Sequence, residues 1–125
     1  MELLLDTHIY LWLVSGDERL PTDAEMLISN ADAVYVSAAS FWEIAIKVRS
    51  GKLRADLVEL LCDLESNGLQ ILPVFAHHAS VVSTMPEYHK DPFDRMLVAQ
   101  AISENFYLMT ADQQLTQYSE QVIRV

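Results

Sequence analysis

Two hydrophobic rhythms alternate along this chain, and the switches between them divide it into short strands and longer helices. "ELLLD" is a run of leucines closed by an acid, too short for a helix and expected as a buried strand. "THIYLWLVSG" places Ile9, Trp12 and Leu13 at helical spacing and stops near Gly16. "PTDAEMLISNA" reads as a second helix opened by Pro21 and Thr22, and "AVYVS" as a second strand. Ser37 stands where it caps "AASFWEIAIKVRSG", a helix with Phe41, Ile44, Ala45 and Val48 on its apolar face and its end at Gly51. "ADLVELLCDLESNG" repeats the pattern and closes at Gly68. "LQILPV" is a third strand stopped by Pro73, residues 76 to 84 are expected as a short helix, and "DPFDRMLVAQAISEN" as a longer one. "FYLMT", the helical turn "ADQQLTQY" and the terminal strand "QVIRV" complete the series.

Short, wholly apolar strands between helices imply a parallel sheet covered on both faces. The expected fold class is therefore α/β, a three-layer α/β/α sandwich around a central parallel sheet. At 125 residues and 51% hydrophobic, the chain has the length of one domain with a sizeable core, and residues 1–125 are expected to form it alone. No internal repeat, low-complexity tract or linker interrupts the pattern.

With 18 acidic and 8 basic residues the net charge is −10, which argues against non-specific binding of nucleic acid through its phosphates. Carboxylates gathered at one point do not all stay ionised without a cation, so acids that converge in space suit a divalent metal. The single cysteine, Cys62, has no partner for an intrachain disulfide. The apolar opening "MELLLDTHIYLWLV" lacks a basic flank and a small-residue cleavage site, and no run reaches the roughly 18 to 20 apolar residues of a membrane span. A reduced, cytoplasmic setting without membrane contact is expected.

Ligands of an open α/β sheet usually bind in the crevice beyond the carboxyl ends of its strands. Asp6 ends the first strand, Asp112 lies two residues past the fourth, Asp94 opens the helix leading into that strand, and Glu43 lies near the start of the helix after the second. Each has an ordinary explanation as well. Asp91-Pro92-Phe93-Asp94 has the form of an N-cap, a proline at N1 and a first-turn acid. Glu43 and Lys47 are four apart, the spacing of a helical salt bridge. Asp112 fits as a first-turn acid capped by Thr110. Asp6, placed directly after a central strand, has the fewest structural reasons to be there. Carboxylate oxygens on one sheet edge suit Mg²⁺ or Mn²⁺, the chemistry of phosphodiester hydrolysis. Zinc is disfavoured, because His77, His78 and His89 form no H-x-x-x-H pair and Cys62 is isolated.

The ordered set "LLLDTHIYLW", "VSAASFWEIAIKVRSGKL", "HKDPFDRMLVAQA" and "LMTADQQL" resembles the PIN-domain ribonucleases, specifically VapC-type toxins of toxin–antitoxin pairs that carry a DPFDR signature. The resemblance covers nearly the whole chain. It implies a parallel-sheet α/β/α sandwich with an acidic site that binds Mg²⁺ or Mn²⁺ and cleaves RNA. By position, Asp6 matches the first-strand aspartate, Glu43 the glutamate of "WEI", Asp94 the aspartate at the helix start and Asp112 the acid of "T-x-D". Asp6 and Asp94 are then expected as principal metal ligands, with Glu43 and Asp112 binding directly or through water. Thr110 is placed to orient Asp112 or a metal water, and Asp91 is the better cap. Arg95 is a candidate for contact with phosphate or one of the acids, and His8 for a supporting contact or a plain structural role. Lys47, Arg49, Lys52 and Arg54 form a basic strip open to two readings, a contact for RNA or an antitoxin and an exposed helix-end cluster. The resemblance further implies a homodimer held inactive by a small antitoxin.

Rival readings fit less well. A phosphate-receiver signalling module needs an acid pair after the first strand, an acceptor aspartate after the third and a lysine after the last; "LLLDTH", "LQILPVFA" and Arg124 do not supply them. A haloacid-dehalogenase-like phosphatase needs D-x-D where this chain has Asp6-Thr7-His8. A catalytically silent binding domain of the same fold is not suggested, because every acid position is filled.

Overall fold

A computed structural model describes residues 1–125. In chain order the elements are β1 (Glu2–Leu5), α1 (Thr7–Ser15), α2 (Thr22–Asn30), β2 (Ala33–Ser37), α3 (Ala38–Arg49), α4 (Leu57–Asp63), β3 (Gln70–Leu72), α5 (Ala76–Val82), α6 (Pro92–Glu104), β4 (Tyr107–Thr110), a 3₁₀ turn (Gln113–Gln117) and β5 (Val122–Arg124). Each element expected from the hydrophobic pattern is present. The helix that the pattern runs on to Gly68 stops at Asp63, and residues 64–67 turn instead, bringing Leu64 and Leu69 into the core.

The sheet is parallel throughout, with the strand order β3-β2-β1-β4-β5. Its central strand shows why the "LLL" run has to be apolar without interruption. Side chains alternate between the faces of a strand. Leu3 and Leu5 pack on one face with Ile9, Tyr10, Val34, Val36, Phe41, Ile44 and Met109. Leu4 points the other way, among Leu72, Leu97, Val98, Ala101, Leu108 and Leu115. Helices α1 to α4 cover the first face, while α6 covers the second with α5 packed on it, so the three-layer sandwich is realised. Burying each leucine contributes about 1.5–3 kcal/mol, which makes β1 the mechanical centre of the sheet.

Local chemistry ends the helices where the pattern indicates. Ser37 Oγ accepts from Ala39 N at 3.0 Å and starts α3. Gly16 closes α1 at φ 64°, a conformation that costs a residue with a Cβ. Asp91 Oδ1 accepts from Phe93 N (2.9 Å) and Asp94 N (3.0 Å), with Pro92 as the first residue of α6. No helix is long and apolar enough to cross a membrane.

Strand order decides where a site can form. From β1 the chain moves to β2 and β3 on one side, then crosses to β4 on the other, so the sheet changes winding direction between β1 and β4. The crevice beyond the carboxyl ends of those two strands is the point at which an open α/β sheet exposes backbone and side chains to a ligand.

Candidate metal centre at the carboxyl edge of the sheet

Asp6 leaves β1 at this crevice and Thr110 ends β4 beside it. They are 104 positions apart in sequence, yet Thr110 Oγ1 donates to Asp6 Oδ2. Asp6 N donates to Met109 O at 3.0 Å, and Asp6 Oδ1 accepts from Ile9 N at 2.9 Å, so the aspartate also caps α1. Only 4% of Asp6 is exposed. Burial raises its pKa above the ordinary carboxylate range, and the hydrogen bonds from Thr110 and Ile9 work in the opposite direction.

Glu43 comes from the second turn of α3 and is 5% exposed. Its Oε1 accepts from Thr7 Oγ1 at 2.7 Å, and Ser40 Oγ lies 2.9 Å from the same threonine hydroxyl. Its Oε2 accepts from Lys47 Nζ at 2.9 Å. The helical salt bridge is therefore real, but it is turned inward. Lys47 leaves the basic strip to serve Glu43, while Arg49, Lys52 and Arg54 remain exposed.

Asp94, at the first turn of α6, is also perturbed. Its carboxylate lies 3.5 Å from His89 Nε2. Burial, followed by the negative charges of Asp91, Asp6 and Glu43, pushes its pKa up to about 7, with His89 counteracting. The charges of Asp6 after β1, Glu43 on α3 and Asp91 before α6 are all felt at Asp94. A proton or a cation relieves such crowding.

Asp112 follows β4 and caps the 3₁₀ turn, its Oδ1 accepting from Gln114 N at 2.9 Å. Asp112 N donates to Thr110 Oγ1 at 3.0 Å, so one buried hydroxyl ties Asp112 to Asp6. Asp112 Oδ2 lies 2.8 Å from His89 Nε2. Thr110 thus orients Asp112 through its backbone. Asp94 and Asp112 offer carboxylate oxygens that lie with a ring nitrogen of His89 within 4.8 Å of one another, Asp6 and Glu43 add their charges at Asp94, and carboxylate oxygens are donors that suit a hard divalent cation.

Two sequence-level expectations are corrected. Arg95 pairs with none of these acids, and its guanidinium is engaged elsewhere. Its guanidinium donates to Pro86 O (2.9 Å), Tyr118 Oη (3.1 Å) and, at 3.4 Å, to the carbonyls of Val82, Met85 and His89. The planar fork of five donors fits a ring of carbonyls that a lysine has too few directions to satisfy. Arg95→Lys is expected to lower stability by roughly 2–3 kcal/mol, read as a lower urea midpoint, because carbonyls in the 82–89 segment lose partners. The Lys47–Arg54 strip is also not continuous, for the reason given above. His8 is exposed and stands with Arg54 on a groove between α1 and α4 of about 700 Å³ that does not include the four acids.

Sequence reasoning passed over His89, Thr7 and Ser40. His89 was weighed only as a zinc ligand, and the signal that singles it out is its place two residues before the Asp91 cap. A second cluster, His77, His78 and Glu104, lies at the far end of α6. There His78 Nδ1 accepts from Phe75 N at 3.0 Å, which puts the ring proton on Nε2, toward Glu104 Oε2 at 3.4 Å. This is a hydrogen-bonded histidine, not a ligand pair.

The profile of the PIN domain matches residues 3–121. The chain is 30% identical over 117 residues to Ribonuclease VapC22 of Mycobacterium tuberculosis, covering 90% of this chain and 88% of that relative. Its fold is similar to that of the Rickettsia felis VapBC2 structure bound to a DNA fragment from their promoter, with a TM-score of 0.73 at 18% identity over 100% of this chain and 98% of that one. It is also similar to a toxin–antitoxin complex from Klebsiella pneumoniae, with a TM-score of 0.66 at 16% identity over 97% and 95% of the two chains. With a parallel sheet of this order, acids gathered where its winding reverses and a profile match across nearly its whole length, the chain belongs to the PIN-domain family.

Proposed function

We propose that this chain is an endoribonuclease, the toxin of a two-component toxin–antitoxin pair, which hydrolyses RNA phosphodiester bonds with Mg²⁺ or Mn²⁺. One nuclease domain spans residues 1–125. The observation that carries this reading is the convergence on Asp94: its carboxylate lies with Asp112 and His89 within 4.8 Å of one another, and burial together with the charges of Asp91, Asp6 and Glu43 pushes its pKa up to about 7, which suits a site for positive charge. Membership in a family that includes a named ribonuclease supplies the reaction class.

Asp6 and Asp94 serve as the principal ligands, and Glu43 and Asp112 complete the site directly or through water. When bound, the cation supplies Lewis acidity at the phosphate and a lowered pKa for the attacking water. The rest is work done by the chain. Ile9 N and Thr110 fix both oxygens of Asp6 before any ligand arrives. Thr7 and Lys47 do the same for Glu43, so the site does not have to be ordered at the moment of binding. Thr7 and Thr110 are thus supporting residues as much as the acids are ligands.

The net charge of −10 makes RNA recognition local. Arg49, Lys52 and Arg54, exposed beyond α3, are the cations left to meet RNA or an antitoxin. A small antitoxin is the proposed partner, as in the structures that share this fold, and a homodimer is the proposed assembly.

Incubation with total RNA, with cleavage sites mapped, tests the reading. Cleavage is expected with Mg²⁺ or Mn²⁺, none with a chelator, and none from a folded Asp6→Asn protein; unchanged cleavage by Asp6→Asn removes the assigned site. Growth arrest on expression, relieved by the protein encoded immediately upstream, separates a toxin from a housekeeping nuclease.

A further inference from the structure

His89 sits where three parts of the site meet. It belongs to the segment that Arg95 fastens, it lies two residues ahead of the α6 cap, and its ring reaches Asp94 and Asp112. As one of three grouped side chains with Asp94 and Asp112 it has the composition of a metal ligand. Its hydrogen bonds assign it a different part.

A neutral imidazole carries one proton, and the nitrogen that accepts a hydrogen bond is the one without it. Asp91 N donates to His89 Nδ1 at 3.0 Å. A backbone N–H cannot reverse its direction, so Nδ1 is the acceptor and the proton is on Nε2. That N–H faces Asp112 Oδ2 at 2.8 Å, with Asp94 Oδ2 behind it at 3.5 Å. A nitrogen that holds a proton offers no lone pair to a cation. The backbone of His89 is anchored too, its N donating to Tyr118 Oη at 3.0 Å, and the side chain is 15% exposed.

We propose that His89 is a positioning residue for the metal site, in which the cap of α6 selects the Nε2–H tautomer and this N–H holds Asp112 beside Asp94. His89 is not a ligand. The arrangement couples a helix cap to a carboxylate that follows β4: Asp91 serves α6 through its side chain and His89 through its backbone N–H. Asp112 on its own is a residue of a short turn, with a side chain 37% exposed. The imidazole gives it one orientation, and outer partners of this kind typically change metal affinity by about 10- to 100-fold.

This inference rests on the metal-site reading above, and one set of measurements separates the two. Binding of Mn²⁺ alone, without RNA, is followed by titration calorimetry for the wild type, Asp94→Asn, His89→Gln, His89→Asn and His89→Ala. Glutamine keeps an N–H donor at the position of Nε2. Asparagine keeps an acceptor near Nδ1 for Asp91 N but ends short of Asp112. The expected result is affinity within about threefold of wild type for His89→Gln and about 10- to 100-fold weaker binding for His89→Asn and His89→Ala. A residue needed only to hold the loop gives the reverse order, with asparagine the better replacement, and that result overturns the proposal. Equal Mn²⁺ binding by the wild type and Asp94→Asn overturns the metal site and this inference together. Loss in Asp94→Asn with wild-type binding by His89→Ala overturns this inference alone. In the unmutated protein, two-bond proton–nitrogen spectra of labelled histidine are expected to show the Nε2–H tautomer of His89 without metal and at saturating Mg²⁺. An Nδ1–H tautomer, or loss of the Nε2 proton on adding Mg²⁺, also overturns it.

Discussion

Asp94→Asn is expected to lower Mg²⁺-supported RNA cleavage by on the order of a thousandfold or more, while the folded protein becomes more stable at neutral pH. The activity loss follows from removing a principal ligand, since metal assistance to phosphoryl chemistry contributes several kcal/mol and each 1.4 kcal/mol is about tenfold in rate. The gain in stability follows from the crowding at this position. The carboxylate of Asp94 is held mostly out of water against the charges of Asp91, Asp6 and Glu43, and a neutral amide of the same shape escapes the repulsion and loses less on leaving water. Asparagine also leaves the cap intact, because Asp94 is capped through its backbone N–H and not its side chain. Single-turnover cleavage and urea unfolding of the same preparation measure both effects. A variant that lost activity and stability together would make Asp94 a structural residue instead.

The second large effect concerns pH. Without metal, stability is expected to fall as pH rises from about 5 to 7.5, the reverse of acid denaturation. Asp94 has a pKa of about 7 when folded against 3.8 as its ordinary value. Between those values the folded chain holds a proton that the unfolded chain has released. Stability therefore falls with rising pH, by at most about 1.4 kcal/mol per unit for one such carboxylate. Asp6 is shifted in the same direction. Asp17, held down to about 2 by Arg19, and Asp32, held below its ordinary value by the N-terminal amine, act with the opposite sign but below pH 4, outside this window. Saturating Mg²⁺ binds the ionised carboxylates of the folded state alone and should cancel or reverse the decline. Urea midpoints at pH 5 and 7.5, in chelator and in Mg²⁺, decide the matter; a midpoint that rises with pH in chelator, or an undiminished decline in Asp94→Asn, where only Asp6 is left to contribute, rules the Asp94 coupling out.

Much of this protein was readable along the chain because the physics involved is local. Three leucines between a charged residue and an acid, too few for a helix, fit a strand buried on both faces, and they stand in both clusters of the core. Asp91-Pro92 begins a helix by capping geometry that involves no distant residue. The acids stand in order along the chain, and each also has a local structural role, including Asp6, for which the sequence offered least reason of this kind. Asp6 caps α1, Glu43 pairs with Lys47, and Asp112 caps a turn.

Interactions between distant segments were not legible. Arg95 looked like a phosphate contact because an arginine beside acids carries no local sign of where its side chain ends. Its Nη1 and Nη2 donate to carbonyls of the 82–89 segment and to Tyr118, which only the packing of α5, α6 and the 3₁₀ turn brings around it. His89 was invisible for a related reason. A ring's tautomer is set by what lies on either side of it, and here those groups are Asp91, two residues away, and Asp112, 23 residues away. By itself the sequence determined the elements, the alternation that makes the sheet parallel, and the identity of the acids, all consequences of side-chain period and capping. Only the tertiary structure decided that β4 lies beside β1 and not at an edge. That strand order brings Thr110 to Asp6 and sets the charges of Asp6, Glu43 and Asp91 against Asp94, because charges interact strongly only at short range and where water is partly kept out.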